Sequence, residues 1–387
     1  MALGIYIQVP FCQTKCTYCN FHTGVVSAEK YAPYATAVQS EILNRRSLYA
    51  RAGVPAGQIE ASIVDTVYFG GGTPSLLDPS HLESILVAVR ESFPSDWKEV
   101  TLEADPETVT REKAVAWSAA EINRVSSGVQ SFSDLELKSS GRMHRREDVH
   151  RAAPILRAAG IQNLSFDLIV GLPHQTPDSW RNSLEELIEL KPEHVSIYML
   201  EVDEGSRLGR ELISLGTKYS APAVPTDDQM ADSYNLARQL LSSAGYEHYE
   251  ISNWAKPGFA SRHNLKYWRR EPYLGFGAGA HSFNGTTRWA NAHDSAEYVA
   301  AIQTGKLPVE QLEAVTIDQA HEEEMFLGLR QLAGINLDHF EPSYAAALSA
   351  KLPPLESAGL IERHGNLVRL VPEKLSISNE VFVELLG

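Results

Sequence analysis

Three cysteines fall within eight positions of one another, Cys12-x3-Cys16-x2-Cys19, and the chain has no others. Thiolates spaced this closely wrap one metal centre, whereas none is left to staple the rest of the fold, so disulfides are a poor reading. Iron–sulfur clusters are held by cysteine ligands. Three protein ligands for four irons would leave one iron of a [4Fe–4S] cluster open to a further ligand. Zinc is the rival: His22 completes a Cys3His set, and zinc accepts such a set tetrahedrally.

A second element sharpens the choice. Gly70-Gly71-Gly72-Thr73-Pro74 follows the next apolar run. Glycines let backbone approach a ligand closely and can present N–H groups to a carboxylate. S-adenosylmethionine (SAM) carries both an amino group and a carboxylate, so an open-iron cluster beside this loop is a chemically coherent pair. A structural zinc site needs no such loop.

These residues must be positioned by regular elements. Short apolar runs recur at Ile5–Val9, Ile63–Phe69, Val100–Ala104, Arg124–Val129, Leu164–Val170 and Val195–Leu200. Helix-like stretches lie between them, among them Pro79–Ser92, Glu147–Ala159 and Pro177–Leu190. Continuous apolar strands alternating with helices predict a parallel sheet covered on both faces. Six such units fit an incomplete (β/α)6 TIM-like barrel, with function on the loops that follow the strands. The cysteines, the triple glycine, Glu103 and Asp105, Gln130, and Asp167 with Gly171-Leu172-Pro173 all fall at or near strand ends.

The expected organisation is a partial-barrel domain over 1–226, a barrel-adjacent region over 227–310, and a smaller C-terminal α+β, winged-helix-like domain over 311–387. A linker is expected at Gly216–Thr226, which holds Pro222 and Pro225. The tail reads as helix, helix, hairpin, with an apolar stripe of Met325, Phe326, Leu329 and Leu332 and a turn at His364-Gly365-Asn366.

The net charge of -15 disfavours a general nucleic-acid binder, and Arg363 and Arg369 stand isolated in the tail. No run approaches the roughly 18–20 apolar residues of a membrane span. The N-terminal strand has no basic region before it, so neither a signal nor a transit peptide is expected, and the cytoplasm is the expected location.

The strings Tyr6-Ile-Gln-Val-Pro-Phe-Cys12, Gly70–Pro74, Glu103-Ala-Asp-Pro106, Gly128-Val-Gln-Ser-Phe132, Gly141-Arg-Met-His144, Asp167-Leu-Ile-Val-Gly-Leu-Pro173 and Tyr249-Glu-Ile-Ser-Asn253 occur in that order. In this the sequence resembles the radical SAM superfamily and, within it, the oxygen-independent coproporphyrinogen III oxidase family. The resemblance covers most of the chain. It implies that Cys12, Cys16 and Cys19 ligate a [4Fe–4S] cluster. It implies a SAM site formed by Tyr6, the backbone of Gly71, Gly72 and Thr73, and Glu103, Gln130, Arg142 and Asp167. Acidic groups suit an amino group and ribose hydroxyls, and a guanidinium suits a carboxylate.

Within that family the chain looks closer to the HemW-type heme-chaperone subgroup. The oxidases carry a further cysteine two residues after the third ligand, where this chain has Phe21, and an arm before the first strand, which here begins near Met1. The subgroup's signature is present as His263-Asn264-Leu265-Lys266-Tyr267-Trp268, followed by a Gly-rich stretch that ends in His281. Imidazole is a common axial ligand of heme iron, and aromatic faces suit a porphyrin. His263, Tyr267 and Trp268 are therefore the candidate heme residues. Lys266, Arg262, Arg269 and Arg270 are candidate partners of propionates, and His281 is a second candidate ligand. The bland reading of the signature is a capped turn with core aromatics. The resemblance implies a protein that binds heme and delivers it to an acceptor hemoprotein, with a homodimer as a plausible assembly. Radical decarboxylation of coproporphyrinogen is the alternative.

Overall fold

The computed structural model describes residues 2–55 and 57–386; the outermost residues of the expected terminal domains, Met1 and Gly387, lie outside them. The chain alternates strand and helix through its first half. The strands are β1 (Ala2–Val9), β2 (Ile63–Gly71), β3 (Ser95–Glu103), β4 (Arg124–Gln130), β5 (Asn163–Val170) and β6 (His194–Met199). Between and after them run α1 (Tyr31–Ala52), α2 (Pro79–Ser92), α3 (Arg111–Ala119), α4 (Asp134–Ser139), α5 (Arg146–Ala158), α6 (Pro177–Leu190), α7 (Arg207–Ile213) and α8 (Asp227–Ser243). Helix starts are written locally. Pro79 and Pro177 occupy first turns, Asp78 accepts from Ser80 N–H, and Thr176 accepts from Ser179 N–H.

β1 to β6 pair in parallel in chain order. The sheet continues beyond them. It adds β7 (Glu247–Glu250) and β8 (Asn253–Ala255) antiparallel at the β6 edge. At the other edge, after α9 (Arg262–Trp268), come β9 (Tyr273–Phe276), parallel to β1, and then antiparallel β10 (His281–Phe283), β11 (Thr287–Asn291) and β12 (Val309–Ala314). The result is one twelve-stranded sheet, ordered β12-β11-β10-β9-β1-β2-β3-β4-β5-β6-β8-β7, which does not close into a barrel. α10 (Ser295–Gln303) packs on α1, and α8 packs on α6, β5 and β6.

The strands differ from the continuous apolar pattern expected of them. Leu3, Ile5, Ile7 and Val9 are fully buried. Each such side chain contributes roughly 1.5–3 kcal/mol relative to exposure. The intervening positions are polar and share the other face: Tyr6 and Gln8, then Thr66 and Tyr68, Glu99, Thr101 and Glu103, Arg124 and Ser126, Ser165 and Asp167, His194 and Ser196. A period of two thus separates an apolar helix-packed face from a polar concave face. That polar face makes a ligand site possible.

The remaining elements are α11 (Ile317–Arg330), β13 (Ile335–Asn336), α12 (Pro342–Ser357), β14 (Ile361–His364), β15 (Leu367–Leu370) and α13 (Ser378–Leu386). They build a three-stranded sheet, β13-β15-β14, with helices around it. Met325 and Leu329 are buried beneath it, and Phe326 meets Phe382 edge-on at 4.8 Å. Arg330 ties this part to the main sheet through Glu250, at 3.3 Å.

Candidate functional site

The cysteines lie on the loop after β1. Cys16 is buried, and Cys12 and Cys19 are partly exposed. The loop is held by Cys12 N–H donating to Gly24 O, Gly24 N–H to Pro10 O, and Thr17 N–H to Ser140 O. Arg142 reaches into it, its Nη1 3.6 Å from Cys16 Sγ. The same guanidinium pairs with Asp105 and donates to Gly128 O at 2.9 Å. The guanidinium thus ties the cysteine loop to β4 and to the loop after β3. Burial pushes the Cys12 and Cys19 thiols up, so metal binding there must displace protons. Among the described residues no three His, Cys, Asp or Glu side chains form a ready-made metal cage; the thiols are gathered on one loop.

The Gly-rich loop departs from its expected role. Its N–H groups are occupied: Gly71 donates to Glu103 Oε2 at 3.0 Å, Gly72 to Val9 O at 2.8 Å, and Thr73 to Phe11 O at 2.6 Å. The turn is closed onto the end of β1, so these N–H groups are not free to meet a carboxylate. The glycine requirement is steric instead. A Cβ on Gly72 would lie 2.4 Å from Phe11 O. Arg142 is likewise committed to Asp105, Gly128 and Cys16 rather than held open as a fork for a carboxylate.

The other expected SAM residues line the concave face. Tyr6 and Tyr68 stack at 5.9 Å, and Tyr68 OH donates to Glu103 Oε1 at 2.8 Å. Burial pushes Glu103 up to about 7 and Asp167 up to about 6. Gln130 takes a positive φ of 63° at the end of β4, and its Oε1 is buried without a partner. Two carboxylates and an orphaned acceptor on one polar face want a donor-rich or cationic ligand, which an amino group and ribose hydroxyls supply. The residues present therefore fit SAM on this face.

A cavity of about 380 Å³ opens above Tyr6, Gly71 and Glu103, and Gln8, Asn20, Phe21, His22, Gly279, His281 and His293 complete its wall. Phe21 is 67% exposed at its mouth. The far wall is fixed by Glu41 of α1, which accepts from Gly277 N–H at 2.9 Å, Asn291 Nδ2 at 2.8 Å and Tyr298 OH at 2.5 Å. Sequence reasoning missed Tyr68, Glu41 and His293, and placed Asp105 at a strand end without its pairing to Arg142. Glu41 carried no local signal, because its partners lie over 200 positions away.

The heme signature sits differently from its expected role. His263 is buried, its Nδ1 2.9 Å from Thr66 Oγ1 and its Nε2 3.0 Å from Tyr267 OH. Its backbone N–H donates to Glu99 Oε1 at 3.0 Å. Burial and Lys266 push its ring down to about 3, so it is a neutral core imidazole with both nitrogens engaged. Tyr267 lies edge-on to His263 and Tyr273. The Trp268 face is covered by the Arg330 guanidinium at 4.5 Å. Lys266 pairs with Asp65 and Glu271, and Arg270 with Glu323. In this arrangement His263 offers no free nitrogen to an iron, and Lys266 no free charge to a propionate. The signature plugs the floor of the polar face, beneath the Tyr6–Tyr68 pair.

A family model described as the radical SAM superfamily matches residues 6–187, and one described as the HemN C-terminal domain matches 315–373. The protein named heme chaperone HemW of Bacillus subtilis is 34% identical over 99% of this chain and 98% of its own. Its namesake in Mycobacterium tuberculosis is 34% identical over 99% and 95%, and that of Escherichia coli 37% over 72% and 69%. The structure of coproporphyrinogen III oxidase (HemN) from Escherichia coli superposes with a TM-score of 0.82 at 21% identity, covering 99% of this chain and 89% of that one. The chain belongs to the radical SAM superfamily and, within it, to the HemW family. No helix of the described residues is long and apolar enough to cross a membrane.

Proposed function

We propose that this protein is a heme carrier that binds heme and passes it to an acceptor hemoprotein, with Cys12, Cys16 and Cys19 holding a [4Fe–4S] cluster and the concave face taking SAM. The observation that carries the reading is end-to-end similarity to proteins named heme chaperone, together with exposed Phe21 at the cavity mouth, where the oxidases place a further cysteine. Tyr6, Glu103, Gln130 and Asp167 would hold SAM by its donors. Gly71, Gly72 and Thr73 would shape the turn beneath it, and Arg142 would hold the cysteine loop. The cluster, when bound, supplies one-electron chemistry. The chain's own residues keep that loop closed between Phe11 and Ser140 and present a wall of Phe21, His22, His281 and His293 beside it.

The test is anaerobic reconstitution of the full chain, then heme titration by difference absorbance, then transfer to an apo-hemoprotein. Saturable binding and transfer support the proposal. Conversion of coproporphyrinogen to protoporphyrinogen with SAM and a reductant would replace it with the decarboxylase reading.

A further inference from the structure

The concave face does not stop at the SAM residues. β9 pairs Gly275 with Tyr6. β10 then places His281 and Phe283 on the same face, with Phe283 paired to Tyr273 and to Arg288 of β11. Gly275 leaves this passage without a side chain, and a Cβ there would lie 2.2 Å from His281 O. His281 lines one cavity, and Phe283, two residues along β10, lines another. One is the 380 Å³ cavity that holds His22 and His293. The other, of about 160 Å³, is walled by Tyr267, Tyr273, Phe283 and Leu327 with Arg270, Arg288 and Glu271.

We infer that heme is seated along this stretch of the sheet with its iron on His281, not on His263. The inference rests on the carrier reading above and gives that reading its site. Three observations support it. His281 is exposed, whereas His263 is sealed and doubly bonded. One side of the His281 ring is desolvated by the cavity wall, and this, with the neighbouring His293, Arg288 and His22, pushes it below its ordinary value, which keeps it neutral and able to ligate. His22 and His293 lie against each other at 4.2 Å, tilted by 32°, on the wall of the same cavity, and His293 Nδ1 is buried without a partner. The three rings do not converge into a cage for a bare ion, but a porphyrin iron needs one imidazole per face. Arg270 and Arg288 share the single carboxylate of Glu323. Glu271 shares that wall and is held by Lys266, and the two guanidiniums are the cations that line the pocket, suited to a propionate. Both guanidiniums lie 4.8 Å from the centre of the Phe283 ring.

The test is heme titration of the anaerobically reconstituted full chain, comparing wild type, His281→Ala, His281→Tyr and His263→Gln, with near-ultraviolet dichroism and cluster absorbance as checks of the fold. His281→Ala is expected to weaken heme at least about tenfold, since losing even an outer-shell partner of a metal ligand costs about 10–100-fold. It is also expected to move the Soret band, and added imidazole should move the band back. His281→Tyr should give the spectrum of a phenolate-ligated iron. His263→Gln should keep the wild-type band. If wild type binds heme and both His281 variants keep its affinity and spectrum, the inference is overturned while the carrier reading stands. If wild type binds no heme, the carrier reading falls first.

Discussion

His263 Nδ1 lies 2.9 Å from Thr66 Oγ1, two residues along β2 from Tyr68, whose hydroxyl holds Glu103. The signature motif and the polar face are thus joined through one strand, the motif below and the acidic residues above. A residue so placed acts on the site by supporting it.

That placement makes Thr66→Val a stability variant. It removes a buried partner and leaves one ring nitrogen unsatisfied, a cost of about 1–3 kcal/mol. Chemical denaturation should register that loss, while heme affinity of the folded fraction stays within about twofold of wild type, under 0.5 kcal/mol. A tenfold loss of affinity with unchanged stability would argue for His263 as ligand.

Glu103 should make stability fall as pH rises. Burial lifts its folded pKa to about 7 from an ordinary 4.5. Between those values the folded state binds more protons than the unfolded one, so stability declines with rising pH and the contribution is lost above about 7. His144 works the other way, held down to about 4 by burial and Arg142, and loses stability as pH falls through the ordinary histidine value. The clean readout is a difference: from pH 5 to pH 8 the apo protein's Tm should drop more in wild type than in Glu103→Gln. Parallel profiles would show that Glu103 does not titrate in this window.

Arg142→Gln should loosen the cysteine loop. The change strips the charge from beside Cys16 and leaves Asp105 and Gly128 O without their partner. Loss of one member of a mostly buried pair costs about 3 kcal/mol. Reconstituted variant protein should lose its iron to a chelator faster than wild type. Arg142→Lys should recover part of the charge effect but not the three-way bonding.

Gly72→Ala tests the closed turn. Its Cβ would collide with Phe11 O, and neither backbone can yield without moving the cysteine loop. Poor cluster incorporation with a lowered Tm is expected, where Gly24→Ala, which meets nothing within 4 Å, should behave as wild type. Equal cluster loading in both would remove the steric account.

Much of this was legible in the residues. The six apolar runs fall inside β1 to β6 or overhang them by one residue, because β-branched clusters between turns have few other solutions. Pro79–Ser92 and Pro177–Leu190 match α2 and α6 end for end, since cap and proline mark their starts. The polar alternation of the strands was readable but masked by tyrosines, which count as apolar in a run and yet line the site. β9 to β12 were not legible: strands of three to six residues in a Gly-rich stretch carry little period, and β9, which joins them to the main sheet, pairs with β1 from the far end of the sequence. Separation along the chain also hid the fate of His263, whose partner Thr66 lies 197 positions away. A His-Asn-x-x-Tyr-Trp string shows ligand types, and only the packing of α9 against β2 shows that both ring nitrogens are taken.

The most direct test of the account is the difference spectrum of the anaerobically reconstituted full-length protein titrated with heme. The account predicts a saturable Soret band, perturbed in His281→Ala and retained in His263→Gln. No saturable band in wild-type protein with a loaded cluster would contradict it.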